Sequence, residues 1–222
     1  MSDGRKEKVF WEIIEVLHQS AFLPHIMIIG SWAEYLYPNY LGDDYVPNLK
    51  TRDVDIYYGN YFLEVSGAEN LVENFRAAGF MLDEHFIDTG KFYKEGLEVE
   101  FLSSQMGSGP GMVEIPYTGV KAEKLDDFGM LRRIVVFVRG YEISIPSPVS
   151  YVAHKLYINP TRRPESKRPK DIEAVRAILH FLKLIPKEIA AFRALLDRLP
   201  PEQRERIVEV AVANELDWLW QK

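Results

Sequence analysis

The period of the apolar residues changes once along this 222-residue chain, near Ser147. Before that point short alternating runs are interleaved with helical ones. After it only helical spacing occurs, opened by Ser147 as a cap and Pro148 in the first turn. Such an order predicts an α+β fold, with a mixed β-sheet and flanking helices over residues 1–146 and a C-terminal helical region over 147–222. Within the first part, Phe10, Ile13, Ile14 and Leu17 mark a helix over 5–19. A strand at 25–29 ends at Gly30, a helix at 31–37 is stopped by Pro38, and 38–50 reads as a loop. Residues 52–58 (RDVDIYY) alternate as a strand. Ser66 and Glu69 have the spacing of a capping box, which predicts a helix from 66 to about Ala78. Strands are expected at 80–88, 91–95, 97–103, 112–117 and 134–145, the last with a turn at Gly140. In the second part helices are expected at 148–158, 170–183, 187–198 and 202–220.

Composition narrows the chemistry. No cysteine is present, so disulfides, thiolate metal sites and a thiol nucleophile are excluded. The net charge of −6 argues against a general nucleic-acid coat. No apolar run approaches the 18 residues of a membrane span, and MSDGRKEKVFWEII does not read as a signal peptide. The cytoplasm is the expected location. The five histidines, 18, 25, 85, 154 and 180, lack zinc spacing. Residues 107–111 (GSGPG) lack the Gly-Lys-Ser/Thr ending of a phosphate loop and read as a flexible loop. Trp218 and Trp220 suit packing of the last helix or an oligomer contact.

Three pieces stand out together. Gly30-Ser31 closes a strand where a helix begins, a place where backbone N–H groups can face an anion and glycine permits close approach. Asp53 and Asp55 lie at i and i+2 of a strand and so share a face. Carboxylates about 6–7 Å apart repel by roughly 2–3 kcal/mol at an effective dielectric near 20, and a divalent cation such as Mg²⁺ would offset that repulsion. Glu98 and Glu100 share the wet face of a later strand, 97–102 (LEVEFL), whose Leu97, Val99 and Phe101 face the other way. Parity alone does not choose between the two glutamates.

In this order the pieces resemble the polymerase-β-like nucleotidyltransferase superfamily, in particular its small bacterial members, including the toxin-like branch of abortive-infection systems. The family pattern is a hydrophobic-Gly-(Gly/Ser) corner, a hydrophobic-Asp-hydrophobic-Asp strand and a later acid flanked by apolar residues. Gly30-Ser31, Asp53-Val54-Asp55-Ile56 and Glu100 match it, although the third acid is usually Asp and 38–50 looks like an insertion. The resemblance implies a Mg²⁺-dependent transfer of a nucleoside monophosphate from an NTP to a hydroxyl acceptor. Asp53, Asp55 and Glu100 would be catalytic and hold two Mg²⁺ ions. Gly30 and Ser31 would grip the triphosphate, joined by Lys155, Arg162 and Lys170 from the helical part. The acceptor stays open among tRNA, a protein and a small molecule such as an aminoglycoside. A catalytically silent nucleotide- or partner-binding module on the same fold is the alternative.

Residues 155–176 add an independent signal. Seven cations (Lys155, Arg162, Arg163, Lys167, Arg168, Lys170, Arg176) face three acids (Glu165, Asp171, Glu173), a local net of +4 in an acidic chain. Such a stretch suits a triphosphate or an RNA backbone.

Overall fold

The computed structural model describes residues 3–47, 51–59, 65–82, 91–104, 111–125 and 129–216. The chain forms two compact units, Met1–Asp126 with Arg133–Ile145, and Asp127–Arg132 with Pro146–Lys222.

In the first unit, helix α1 (Asp3–Gln19) buries Val9, Phe10, Ile13, Ile14, Val16 and Leu17. Strand β1 (Met27–Ile29) runs directly into the seven-residue helix α2 (Gly30–Leu36). No side chain caps α2. Packing holds it instead, with Trp32 stacked on Phe10 at 4.2 Å between ring centres. The segment 38–50, expected as a loop, opens with a single helical turn, α3 (Pro38–Leu41), because Pro38 presets the backbone of a first turn. Tyr45 follows, buried, its hydroxyl donating to Glu34 of α2 at 3.1 Å. This part of the segment is therefore anchored to the helix that follows β1.

Strands β2 (Asp53–Tyr58), β3 (Met81–Leu82), β4 (Phe92–Lys94), β5 (Leu97–Ser104), β6 (Met112–Glu114) and β7 (Lys121–Leu125) complete a seven-stranded sheet. Its order is β1-β2-β5-β4-β3, with β7 beside β5 and β6 beside β7. β5 is the hub, parallel to β2 and β7 and antiparallel to β4. Because strand side chains alternate, the sheet sorts its residues by face. Val54, Ile56, Tyr58, Phe92, Val99 and Phe101 are buried on one side. There Phe75, from helix α4 (Leu71–Ala77), stacks on Phe92 at 4.4 Å and meets Phe101 edge-on. Asp53, Asp55, Glu98 and Glu100 stand half-buried on the other side.

Further elements differ from expectation, among them α8 (Pro201–Ala213), which ends at Ala213 rather than continuing. The helix expected from Ser66 begins at Leu71, after a 3₁₀ turn over Ala68–Asn70. Gly67 adopts φ +94°, a left-handed conformation that a helix interior does not admit, and Glu69 accepts from the Gly67 N–H instead of completing a cap at 66. β7 (KAEKL) was not expected as a strand, since Lys and Glu are weak strand formers. It forms because β4 covers only Leu97–Val99 of β5, leaving Leu102–Ser104 for β7 to pair. The turn at Gly140 is found, joining β8 (Arg133–Val138) to β9 (Tyr141–Pro146) through two residues of positive φ, Arg139 and Gly140.

The second unit is helical: α5 (Pro148–Ile158), α6 (Lys167–Leu182), α7 (Pro186–Arg198) and α8 (Pro201–Ala213). Ser147 caps α5, its hydroxyl accepting from the Ser150 N–H. Proline opens α5, α7 and α8. α5 is the central helix; its Val152, Ala153 and Leu156 are buried along with Val175, Ile178, Phe192 and Ile207 of the other three. Trp218, Trp220, His85 and most of the 107–111 loop lie outside the described residues. Among the described residues no helix is long and apolar enough to cross a membrane.

Candidate active site

The parallel register of β2 and β5 sets Asp53 opposite Glu98 and Asp55 opposite Glu100. Neighbouring strands lie about 4.8 Å apart, so four carboxylates share one patch of one sheet face. On the other side of β2, Ile29 pairs with Asp55 and the chain turns at once into Gly30. Gly30 has φ +65°, and a Cβ there would overlap Asp55 Oδ2 and stand 3.3 Å from Asp55 Cγ. Glycine is thus required twice, for its backbone and for the space the carboxylate fills. Asp55 lies between the Gly30-Ser31 corner and Glu100. The Asp53 N–H donates to Thr51 Oγ1 at 3.2 Å.

A cation that the sequence reading passed over completes the patch. Lys91 Nζ donates to Glu98 Oε1 at 2.6 Å and also to Glu100 Oε1. Lys91 reaches both because of the hairpin that follows it. Glu95 and Gly96, with φ +47° and +78°, make a two-residue turn. That turn pairs Lys94 with Leu97 and Tyr93 with Glu98. Continued past the end of β4, the same register brings Lys91 into line with Glu100. Burial above all, then the hydrogen bond that its protonated form donates to Glu98, pushes the Glu100 carboxyl up to about 7; Lys91 opposes the shift and Asp55 adds to it. For Glu98, burial is outweighed by hydrogen bonds with Glu100, Lys91 and Tyr93, and its carboxyl is lowered. The pair of carboxylates raises Lys91 despite its own desolvation. Further along the face, Tyr57 and Ser104 share a hydrogen bond between their hydroxyls.

Residues 9–188 match the model of a nucleotidyltransferase family. The chain belongs to that family. Among solved structures, the solution structure of the antibiotic-resistance factor ANT(2'')-Ia is 14% identical, with a TM-score of 0.51 over 97% of this chain and 99% of that one. This nucleotidyltransferase therefore shares its fold. Two further structures score lower. ANT(2'')-Ia in complex with adenylyl-2''-tobramycin has 13% identity and a TM-score of 0.48, over 84% of this chain and 96% of that one. An antigenic nucleotidyltransferase-like protein from Paracoccidioides brasiliensis has 16% identity and a TM-score of 0.42, over 93% and 94%. None of the curated proteins matches the chain.

In this nucleotidyltransferase the donor set suits a hard divalent cation, since it consists of carboxylate oxygens gathered on one face. Among the described residues, however, no three acidic or histidine side chains already converge in a metal-holding arrangement. The residues expected from the second unit are placed as follows. Lys155 is buried on α5, donating to Asp171 Oδ1 of α6 at 2.6 Å. Arg162 Nε lies 3.3 Å from Asp171 Oδ2, at ion-pair distance but not aimed for a hydrogen bond. Lys170 is exposed on the first turns of α6. At least four of the seven cations in 155–176 pair with Asp171 or Glu165, two of the three acids already counted in the net of +4, so the excess of positive charge remains. The His154 side chain is half-buried with its Nε2 shielded from solvent, and desolvation, aided by Lys155 and Arg162, lowers it to about 3.

Proposed function

We propose that this nucleotidyltransferase transfers a nucleoside monophosphate from a Mg²⁺-bound NTP to a hydroxyl acceptor. The observation that carries the reading is Asp55, held against Gly30 on one side and opposite Glu100 on the other. Asp53, Asp55 and Glu100 would hold the divalent cations, and Gly30 and Ser31 would receive the triphosphate. Once bound, the cations would supply charge neutralisation at phosphate oxygens and polarisation of the attacking hydroxyl. The chain's own contribution is positioning. The strand register fixes the spacing of the acids, and the absent Cβ at Gly30 leaves room for Asp55 beside the phosphate corner. The acceptor oxygen bonds to the α-phosphorus, the bond to pyrophosphate breaks, and the hydroxyl proton leaves to solvent or a nearby carboxylate. The proposal rests on the first unit, because Lys155 already spends its charge on Asp171.

Incubation with labelled NTP, Mg²⁺ and a panel of acceptors (tRNA, a protein with free hydroxyls, an aminoglycoside) tests the reading. Labelled product and pyrophosphate are expected from the wild type, and neither from Asp53→Asn or Asp55→Asn, both of which should remain folded. NTP binding by calorimetry without pyrophosphate release from any acceptor would instead identify a silent binding module. A toxin-like role with tRNA as acceptor predicts growth arrest on induced expression, relieved by Asp55→Asn.

A further inference from the structure

Lys91 has no part in the transfer scheme, yet it makes two charge-assisted contacts on the acid patch. Its ammonium is shared between Glu98 and Glu100, and Lys91, Glu98 and Glu100 are each about three-quarters buried at the side chain. Tyr93 gives Glu98 a further donor. Glu100 therefore already has a cation, within hydrogen-bonding distance, on the face that also carries Asp53 and Asp55. A monovalent ammonium and a divalent metal both seek the same carboxylate oxygens. The Glu100 oxygen that accepts from Lys91 is one that a ligand set with Asp55 on the neighbouring strand would compete for. The lack of a convergent three-acid cluster among the described residues is what such an arrangement gives.

We infer that Lys91 is an internal counter-ion that a divalent cation must displace from Glu100, so that metal loading and release of the ammonium are a single exchange. The inference rests on the reading of Asp53, Asp55 and Glu100 as the metal-holding acids. In the metal-free state Lys91 keeps two adjacent glutamates from repelling one another and holds the patch together. In the exchange Lys91 gives up Glu100 and keeps Glu98. Glu98 is then the resting place of the displaced cation, which gives a reason for a second glutamate beside the first. Lys91 is a positioning residue in this account and touches neither substrate nor metal.

The test is a Mn²⁺ titration of the full chain, followed by electron paramagnetic resonance of the free ion, with Mg²⁺ as competitor. Lys91→Met removes the charge and keeps the stem, whereas Lys91→Arg keeps the charge. Lys91→Met should bind Mn²⁺ about tenfold more tightly than wild type, because an opposing charge a few ångströms away has gone, and Lys91→Arg should not. With Glu100→Gln in the background the gain from Lys91→Met should vanish. A readout on the unaltered lysine guards against a misfolded variant. The ¹⁵N ammonium resonance of Lys91, assigned as the signal lost in Lys91→Arg, should shift over the same Mg²⁺ range in which metal binds. If Asp55→Asn abolishes Mn²⁺ binding but Lys91→Met leaves it unchanged or weaker, and the ammonium resonance stays still, the counter-ion role is wrong while the metal site stands. If Asp55→Asn binds Mn²⁺ as wild type does, the metal-site reading fails and the exchange fails with it.

Discussion

At the scale of single residues, the site depends on groups whose importance differs from their chemical prominence. Gly30 bears no functional group, yet the carboxylate of Asp55 occupies the space a side chain would need. Gly30→Ala is expected to cost about 1–2 kcal/mol from its left-handed backbone alone, lowering the urea midpoint. Displacement of Asp55 should reduce nucleotidyl transfer by about a hundredfold or more. Retained activity with a lowered midpoint would separate the glycine's structural role from the site. The two glutamates, indistinguishable by parity, become distinguishable by partners. Glu98 is satisfied by Lys91 and Tyr93, while Glu100 stands opposite Asp55 and feels its charge. Glu98→Gln should lower transfer by about ten- to a hundredfold, as expected for a supporting group, whereas Glu100→Gln should remove it. Measurement of kcat and KM for both variants decides which is the third acid.

At the scale of elements, legibility followed periodicity. β2 and β5 were readable because each alternates acids with large apolar residues, and the buried face needs that alternation. α5 was readable because Ser147 and Pro148 mark its start. β7 was not, because Lys121, Glu123 and Lys124 suggest no strand; only the uncovered end of β5 makes one of them. Lys91 was missed for a related reason: a lone lysine before a short strand carries no signal until the pairing across Glu95-Gly96 is counted out. α5 also has the clearest electrostatic consequences. His154 is held neutral in the fold, at about 3 against an ordinary 6.5. Its contribution is complete above pH 6.5 and is lost as the pH falls toward 3, because only the unfolded chain takes up the proton in that window. From pH 7 to pH 5 the second unit should lose about 2 kcal/mol of stability. Urea melts at the two pH values check this, and His154→Phe should reduce the difference. Lys155→Met leaves Asp171 buried with only the misaligned Arg162, which should cost about 3 kcal/mol. Adding Asp171→Leu should restore most of it. A rise in KM for NTP without any loss of stability would instead show that Lys155 faces phosphate.

For the whole molecule, the net charge of −6 and the sheet's acid patch are the features that would attract the divalent cations proposed for the site. The fold itself does not need them, since hydrophobic burial and strand pairing hold the acids in register and Lys91 offsets part of their repulsion. Chelation with EDTA should therefore stop pyrophosphate release while leaving the far-ultraviolet circular dichroism unchanged, and Mg²⁺ should restore the activity. Collapse of the spectrum on chelation would show instead that the cations are structural. The basic stretch of the second unit keeps an excess of four positive charges, so RNA held there should be released steeply as salt rises; a flat response in a filter-binding titration at several ionic strengths would count against RNA as its partner.

The turn at Glu95 and Gly96 acts as a spacer. Lengthening it by one residue would slip the strand before it by one step, so that the benzyl group of Phe92 would face the carboxylates and the aliphatic core would receive a charge. A two-residue turn thereby sets which side chain meets Glu100, and its length governs the electrostatics of the patch as much as the acids themselves do.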